Sequence, residues 1–161
     1  MPFHALGVGS FVNRWLGPLL QWFCLTVFLV ARREAVGPRR PLTVSVVIPA
    51  RNEAGNIPAT VARTPEMGAG TEIIFVEGHS SDNTWAEIQR VAAENPQRRI
   101  KILQQTGKGK GDAVRAGFEV ATGEVLMILD ADLTMPPEEL PKFYDVIASG
   151  RADFANGVRL V

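Results

Sequence analysis

Short unbroken apolar runs alternate with segments of helical period along most of the chain. "TVSVVIP" (Thr43 to Pro49) and "TEIIFVE" (Thr71 to Glu77) are rich in β-branched residues and show no polar alternation, which predicts strands buried on both faces. "RIKILQQ" (Arg99 to Gln105) and "EVLMILDA" (Glu124 to Ala131) predict two more, and "ADFANGVRLV" (Ala152 to Val161) the start of a fifth. The intervening stretches predict helices. "AGNIPATVART" is short and interrupted by Gly55 and Pro58. "SDNTWAEIQRVAAEN" places Asp82 at its cap and Trp85, Ile88, Val91 and Ala92 on one face. "GDAVRAGFEVAT" turns Ala113, Gly117, Val120 and Ala121 inward, and "PPEELPKFYDVIASG" repeats Leu140, Phe143, Tyr144 and Ile147 at helical spacing, with prolines at its start. Strand and helix alternate four times, so the predicted fold is α/β, a mostly parallel sheet with helices on both faces.

The first forty residues follow a different pattern. Trp15 to Ala31 is apolar apart from Gln21 and Thr26, with Arg14 before it and Arg32, Arg33, Arg39 and Arg40 after it. As a helix it would be about 25 Å long, marginal for a bilayer core of about 30 Å. Two readings stand: a membrane helix or interfacial anchor with its arginine-rich end toward the cytoplasm, and a remnant strand or docked segment of an upstream domain. "EAVGPRRP" (Glu34 to Pro41) is a linker by composition. The expected organisation is therefore residues 1–41 as hydrophobic segment plus linker, and 42–161 as a nucleotide-binding unit.

Composition changes this picture little. The 161 residues carry 17 Lys+Arg and 17 Asp+Glu, a formal charge of zero, which gives no case for nucleic-acid binding. Cys24 is the only cysteine, so no internal disulfide can form.

Chemistry gathers at the predicted strand ends, where ligands bind in open parallel sheets. The first strand ends in "PARNE", the second in "EGHSSD", the fourth in "DAD", and the fifth runs into "GVR". Asp130 and Asp132 stand at i and i+2, which in an extended segment places both carboxylates on one side. Such a pair is costly unless a cation joins it, and Mg²⁺ takes one or two carboxylates while sharing its shell with substrate phosphates. A bare D-x-D is also an ordinary acidic turn; the other charged strand ends favour Mg²⁺ or Mn²⁺ holding a diphosphate. "GKGKGDAVRAG" (Gly107 to Gly117) follows a strand and opens a helix, so its glycines admit a ligand and Lys108 or Lys110 offsets phosphate charge. It matches neither G-x-x-x-x-G-K-[ST] nor G-x-G-x-x-G. His79 has no second His or Cys at ligand spacing, so a transition-metal site is not expected.

"SVVIPARNEAGNI", "EIIFVEGHSSDNT", "GKGDAVRAGFEVATGEVLMILDADLTMPPEEL" and "ADFANGVR" together resemble family 2 glycosyltransferases of the GT-A fold, in the branch of polyprenyl-phosphate (dolichol-phosphate) mannose or glucose synthases. The resemblance covers Leu42 to Val161 and implies the N-terminal part of such a domain, cut after the fifth strand. It implies transfer of a hexose from a UDP- or GDP-sugar, by a single inverting displacement, to an acceptor such as a lipid phosphate, at the cytoplasmic face of a membrane or in the cytoplasm. By this resemblance Pro49, Ala50, Arg51 and Glu53 hold the nucleotide, with the Arg51 guanidinium in place of the usual aromatic. Glu77 binds base or ribose, although the family more often has paired aspartates where this chain has Glu77-Gly78. Asp130, Ala131 and Asp132 match the D-x-D, with Asp132 the main metal ligand and Asp130 assisting it or holding the ribose. Thr134 stands where a further ligand is often Gln, and Arg159 matches an arginine that reaches the donor diphosphate. Acceptor wall and general base are expected beyond this chain, in downstream sequence or a partner polypeptide. Two rivals remain: a nucleotidyltransferase, which would carry a Gly-rich basic loop after the first strand, and a nucleotide-binding fragment without activity of its own.

Overall fold

The computed structural model describes residues 40–157; the apolar run Trp15 to Ala31 and the predicted diphosphate contact Arg159 lie outside them. Among the described residues no helix is long and apolar enough to cross a membrane.

Four strands form one parallel sheet in the order β3-β2-β1-β4: β1 is Val44–Ala50, β2 Thr71–Glu77, β3 Arg99–Gln104 and β4 Val125–Ile128. The two central strands explain the unbroken apolar runs. Every residue of β2 is buried, as are six of the seven in β1, because helices cover both faces. α1 (Ile57–Arg63), α2 (Thr84–Glu94) and α4 (Leu140–Ala148) pack on one face, where Ile57, Val61, Ile88, Val91 and Leu140 meet Val46, Ile48, Ile73 and Phe75. α3 (Lys110–Val120) covers the other, with Ala113 against Val47, Ile74 and Val76. This second contact is close: a Cβ on Gly117 would collide with the Val47 side chain. Single 3₁₀ turns, Ala54–Asn56 and Pro137–Glu139, lead into α1 and α4.

Two expectations are corrected. Residues 152–157 contain no strand, and Phe154 there is 81% exposed. A strand needs a ladder partner as well as apolar residues, and none is formed by this segment within the described residues. Val120 ends α3 exposed, while Ala121 after it packs against the Val47, Ile74 and Val76 cluster. In α2 the expected face holds, with Ile88 and Val91 buried and Trp85 and Ala92 half-buried.

At the amino end of the sheet a buried polar network joins four segments. Glu72 Oε1 accepts from Ser45 Oγ at 2.5 Å and from Thr122 N at 2.6 Å, while Oε2 pairs with Lys101 Nζ at 2.9 Å. Ser45 Oγ in turn accepts from Gly123 N at 2.7 Å. Burial alone would push the Glu72 carboxyl up; the hydroxyl, amide and ammonium donors outweigh it and hold it at about 2.

Candidate functional site

The opposite, carboxyl rim carries the candidate chemistry. In spatial order it presents Gln105 after β3, Gly78 after β2, Ala50 and Arg51 at the end of β1, and Asp130 after β4. These residues line one cavity of about 280 Å³, together with Pro49, Glu53, Lys110, Ala131 and Asp132. The strand order thus brings together residues more than eighty positions apart in the chain, such as Pro49 and Asp132.

The loop after β1 is held by the loop after β2. Asn52 adopts a left-handed φ of 58°, and its side-chain oxygen accepts from Ser81 N at 2.8 Å while its own N–H donates to Ser80 Oγ at 3.0 Å. Thr84 Oγ1 accepts from Glu53 N at 2.8 Å, and Asp82 Oδ1 accepts from Thr84 N at 3.0 Å. The Thr84 hydroxyl, ahead of a smaller opposing burial effect, holds the Asp82 carboxyl below its ordinary value. Asn52 and Asp82 therefore shape the cavity edge by orienting backbone.

Glu77 stands apart from the other predicted site residues, outside the cavity lining. It is 2% exposed; Oε1 accepts from Ser80 N at 2.5 Å and Oε2 from Gln104 Nε2 at 3.1 Å. Burial opposes its charge, yet the Ser80 amide and hydroxyl with the Gln104 amide hold its carboxyl below the ordinary value. In this arrangement the carboxylate anchors the loop that follows it.

The acidic pair also differs from its extended picture. β4 ends at Ile128, Leu129 N makes the final bond to Val47 O at 3.0 Å, and the chain then turns, with Leu133 N donating to Asp130 O at 3.3 Å. Asp130 and Asp132 are thus presented by a turn beyond the ladder, and both line the cavity. Leu133 is held at φ 57°, an uncommon conformation for a bulky residue. Asp130 pairs with the Lys110 ammonium, which enters from the first turn of α3. Gly109, just before that helix, has a φ of 86° and open space where a Cβ would stand, so backbone is accessible to a ligand there. Lys108 does not line the cavity.

Among the described residues no group of three or more His, Cys, Asp or Glu side chains gathers into a metal cage. Two carboxylates on an open rim beside a lysine still fit Mg²⁺ or Mn²⁺, which takes few protein ligands and completes its shell with water and phosphate oxygens. Gln105, Gly78, Val76 and Ala113 were not legible as site residues from charge patterning; for Gln105 the available signal was its place directly after a strand on the same rim.

The model of the family described as "Glycosyl transferase family 2" matches residues 45–161. A dolichol-phosphate mannosyltransferase of Pyrococcus furiosus is 37% identical over 123 residues, covering 74% of this chain and 34% of that protein. An undecaprenyl-phosphate 4-deoxy-4-formamido-L-arabinose transferase of Pectobacterium carotovorum is 40% identical over 122 residues, covering 68% and 37%. The chain thus spans about a third of the length of these relatives. A mannosyltransferase from Pyrobaculum calidifontis, solved with GDP-Man and Mn²⁺, shares the fold with a TM-score of 0.58 and 23% identity, over 88% of this chain and 42% of that one. Glucosyl-3-phosphoglycerate synthase from Mycobacterium tuberculosis, solved with Mn²⁺, UDP and glucosyl-3-phosphoglycerate, gives a TM-score of 0.52 and 21% identity, over 68% of this chain and 40% of that one.

Proposed function

The chain belongs to glycosyl transferase family 2, and on that premise we propose that it forms the donor-binding part of a metal-dependent enzyme that moves a hexose from a nucleoside diphosphate to a polyprenyl phosphate. One observation carries the reading: Asp130, Asp132, Lys110 and Arg51 line a single cavity on the carboxyl rim of a parallel sheet. Two cationic side chains beside this acidic pair match a metal-bound diphosphate better than a neutral ligand; the third carboxylate of the lining, Glu53, accepts from Asn56 Nδ2.

Asp132, assisted by Asp130, would hold Mg²⁺ or Mn²⁺. The ion supplies Lewis-acid stabilisation of the departing nucleoside diphosphate. Lys110 places a second positive charge beside the same phosphates, and the glycines before α3 let backbone N–H groups approach them. Pro49, Ala50 and Glu53 form the wall at the end of β1, and Arg51 lays its guanidinium against the nucleoside. Arg159, outside the described residues, keeps its expected role on the diphosphate. Direct displacement inverts the anomeric carbon. A phosphate acceptor is already anionic, so attack needs little help from a base. The Pyrococcus and Pectobacterium relatives, named for dolichol and undecaprenyl phosphates, support this acceptor class. Residues 1–41 are proposed as the linker and anchor that bring the site to a membrane's cytoplasmic face.

Calorimetric titration of UDP and GDP, with and without Mn²⁺, tests the reading. Binding should tighten with the metal in the wild-type chain and lose that increment in Asp132→Asn. An increment of equal size in both proteins would remove Asp132 from the metal site.

A further inference from the structure

We propose that the side-chain amide of Gln105 reads the base of the nucleoside diphosphate, an inference that rests on the donor site proposed above. Gln105 is 5% exposed and lines the cavity. Its backbone N–H is tied to Glu77 O at 3.0 Å, which fixes the residue one step past the end of β3. Its Oε1 is buried and receives no hydrogen bond from the protein. Buried side-chain acceptors without a donor are rare and unfavourable, so this one is a feature to be explained.

The surroundings indicate what would supply the donor. Gly78 stands opposite: a Cβ there would lie 3.7 Å from Gln105 Nε2, 3.4 Å from Arg51 Cβ and 3.5 Å from Ala50 O. The absence of that Cβ leaves the gap between Arg51 and Gln105 open to a flat group. The cavity is also divided by charge. Asp130, Asp132 and Lys110 sit at the β4 end, Arg51 and Glu53 line the middle beyond β1, and Val76, Gly78 and Gln105 toward β2 and β3 are neutral. Three strand spacings separate β4 from β3, roughly 14 Å. A diphosphate held at Asp132 and Lys110 therefore directs its nucleoside along the rim toward Gln105. A primary amide presents one donor beside one acceptor. That pattern complements the adjacent C=O and ring N–H of uracil or guanine, and it has no counterpart in a phosphate.

Binding of UDP, GDP, ADP, CDP and inorganic pyrophosphate, each with Mn²⁺, should be compared in the full chain, Gln105→Leu and Gln105→Glu. In the leucine variant we expect about tenfold weaker binding of the preferred nucleotide, a narrower spread among the four bases, and unchanged pyrophosphate. In the glutamate variant, a carboxylate accepts from guanine N1–H and N2–H but repels uracil O4, so GDP should gain on UDP. Retained affinities and base order in Gln105→Leu would overturn the proposal. So would equal losses of nucleotide and pyrophosphate there, if Gln105→Glu also leaves the GDP-to-UDP ratio unchanged. Failure of wild type to bind either nucleotide or pyrophosphate would instead remove the donor site itself, and this inference with it.

Discussion

Thr134 donates both its backbone N–H and its hydroxyl to one oxygen of Asp132, at 2.9 Å each. The intervening Leu133 is forced into a left-handed conformation, so the turn sets the direction of a carboxylate that is otherwise exposed. Two donors on one oxygen pre-orient the group before a cation arrives. Thr134→Val keeps the shape and the backbone donor but removes the hydroxyl. We expect the Mn²⁺-dependent gain in UDP or GDP affinity to shrink about three- to tenfold, with metal-free binding unchanged. Calorimetry with and without Mn²⁺ measures both quantities, and an undiminished gain would show that the hydroxyl plays no part in metal binding.

Glu77 should behave as a positioning residue. Its removal deprives the Ser80 amide and the Gln104 side chain of the carboxylate that both donate to, at a place only partly open to water. Glu77→Ala is expected to lower stability by about 1–3 kcal/mol and to loosen the loop that holds Asn52. Denaturant unfolding reads the first effect. For the second, nucleotide affinity should fall more than pyrophosphate affinity, because Gly78 and Arg51 flank the nucleoside end. A variant with wild-type stability and weakened nucleotide binding would instead return Glu77 to a direct contact.

Glu72 predicts an acid-sensitive fold. Its carboxyl lies at about 2 in the folded chain against an ordinary 4.5. A depressed value means that its contribution is fully present above the ordinary value and is lost as pH falls from about 4.5 toward 2. The shift corresponds to roughly 3 kcal/mol at neutral pH. Unfolding free energy measured at pH 7, 4 and 3 should therefore decline. Glu72→Gln should start lower and show a flatter decline. Parallel curves for the two proteins would exclude Glu72 as the source.

The strands were legible because burial on both faces demands uninterrupted apolar runs rich in β-branched residues, and Val46, Val47, Ile73 and Ile74 supply them. Strand alternation then placed "PARNE" and "DAD" on one rim, where the cavity lies. Tertiary facts were not legible. An acid at a strand end reads the same whether it faces a ligand or, like Glu77, a neighbouring strand's Gln104. Spacing at i and i+2 puts two side chains on one side only in extended chain, and beyond the last ladder bond of β4 the chain turns. Gln105 carries no charge, so the pattern of charged strand ends does not single it out.

The packing of Gly117 on Val47 links the fold to the site. α3 carries Lys110 and Ala113 into the cavity at one end and approaches the sheet through Gly117 further along. In an exposed helix, replacing glycine by alanine stabilises by about 1 kcal/mol. Here the new methyl would meet both Val47 methyls and come within 3.2 Å of Val76 Cγ2. Both valines are buried and stiff at χ1, so neither can swing aside. Overpacking of this kind costs about 1–3 kcal/mol, which outweighs the gain in propensity. Gly117→Ala should therefore be net destabilising, and by lifting α3 it should move Lys110 and weaken pyrophosphate binding. Val47→Ala in the same chain makes room for the methyl and should recover part of both losses. Strictly additive effects in the double-mutant cycle, for stability and for pyrophosphate affinity alike, would show that the two positions are not coupled and that the helix does not seat the lysine through this contact.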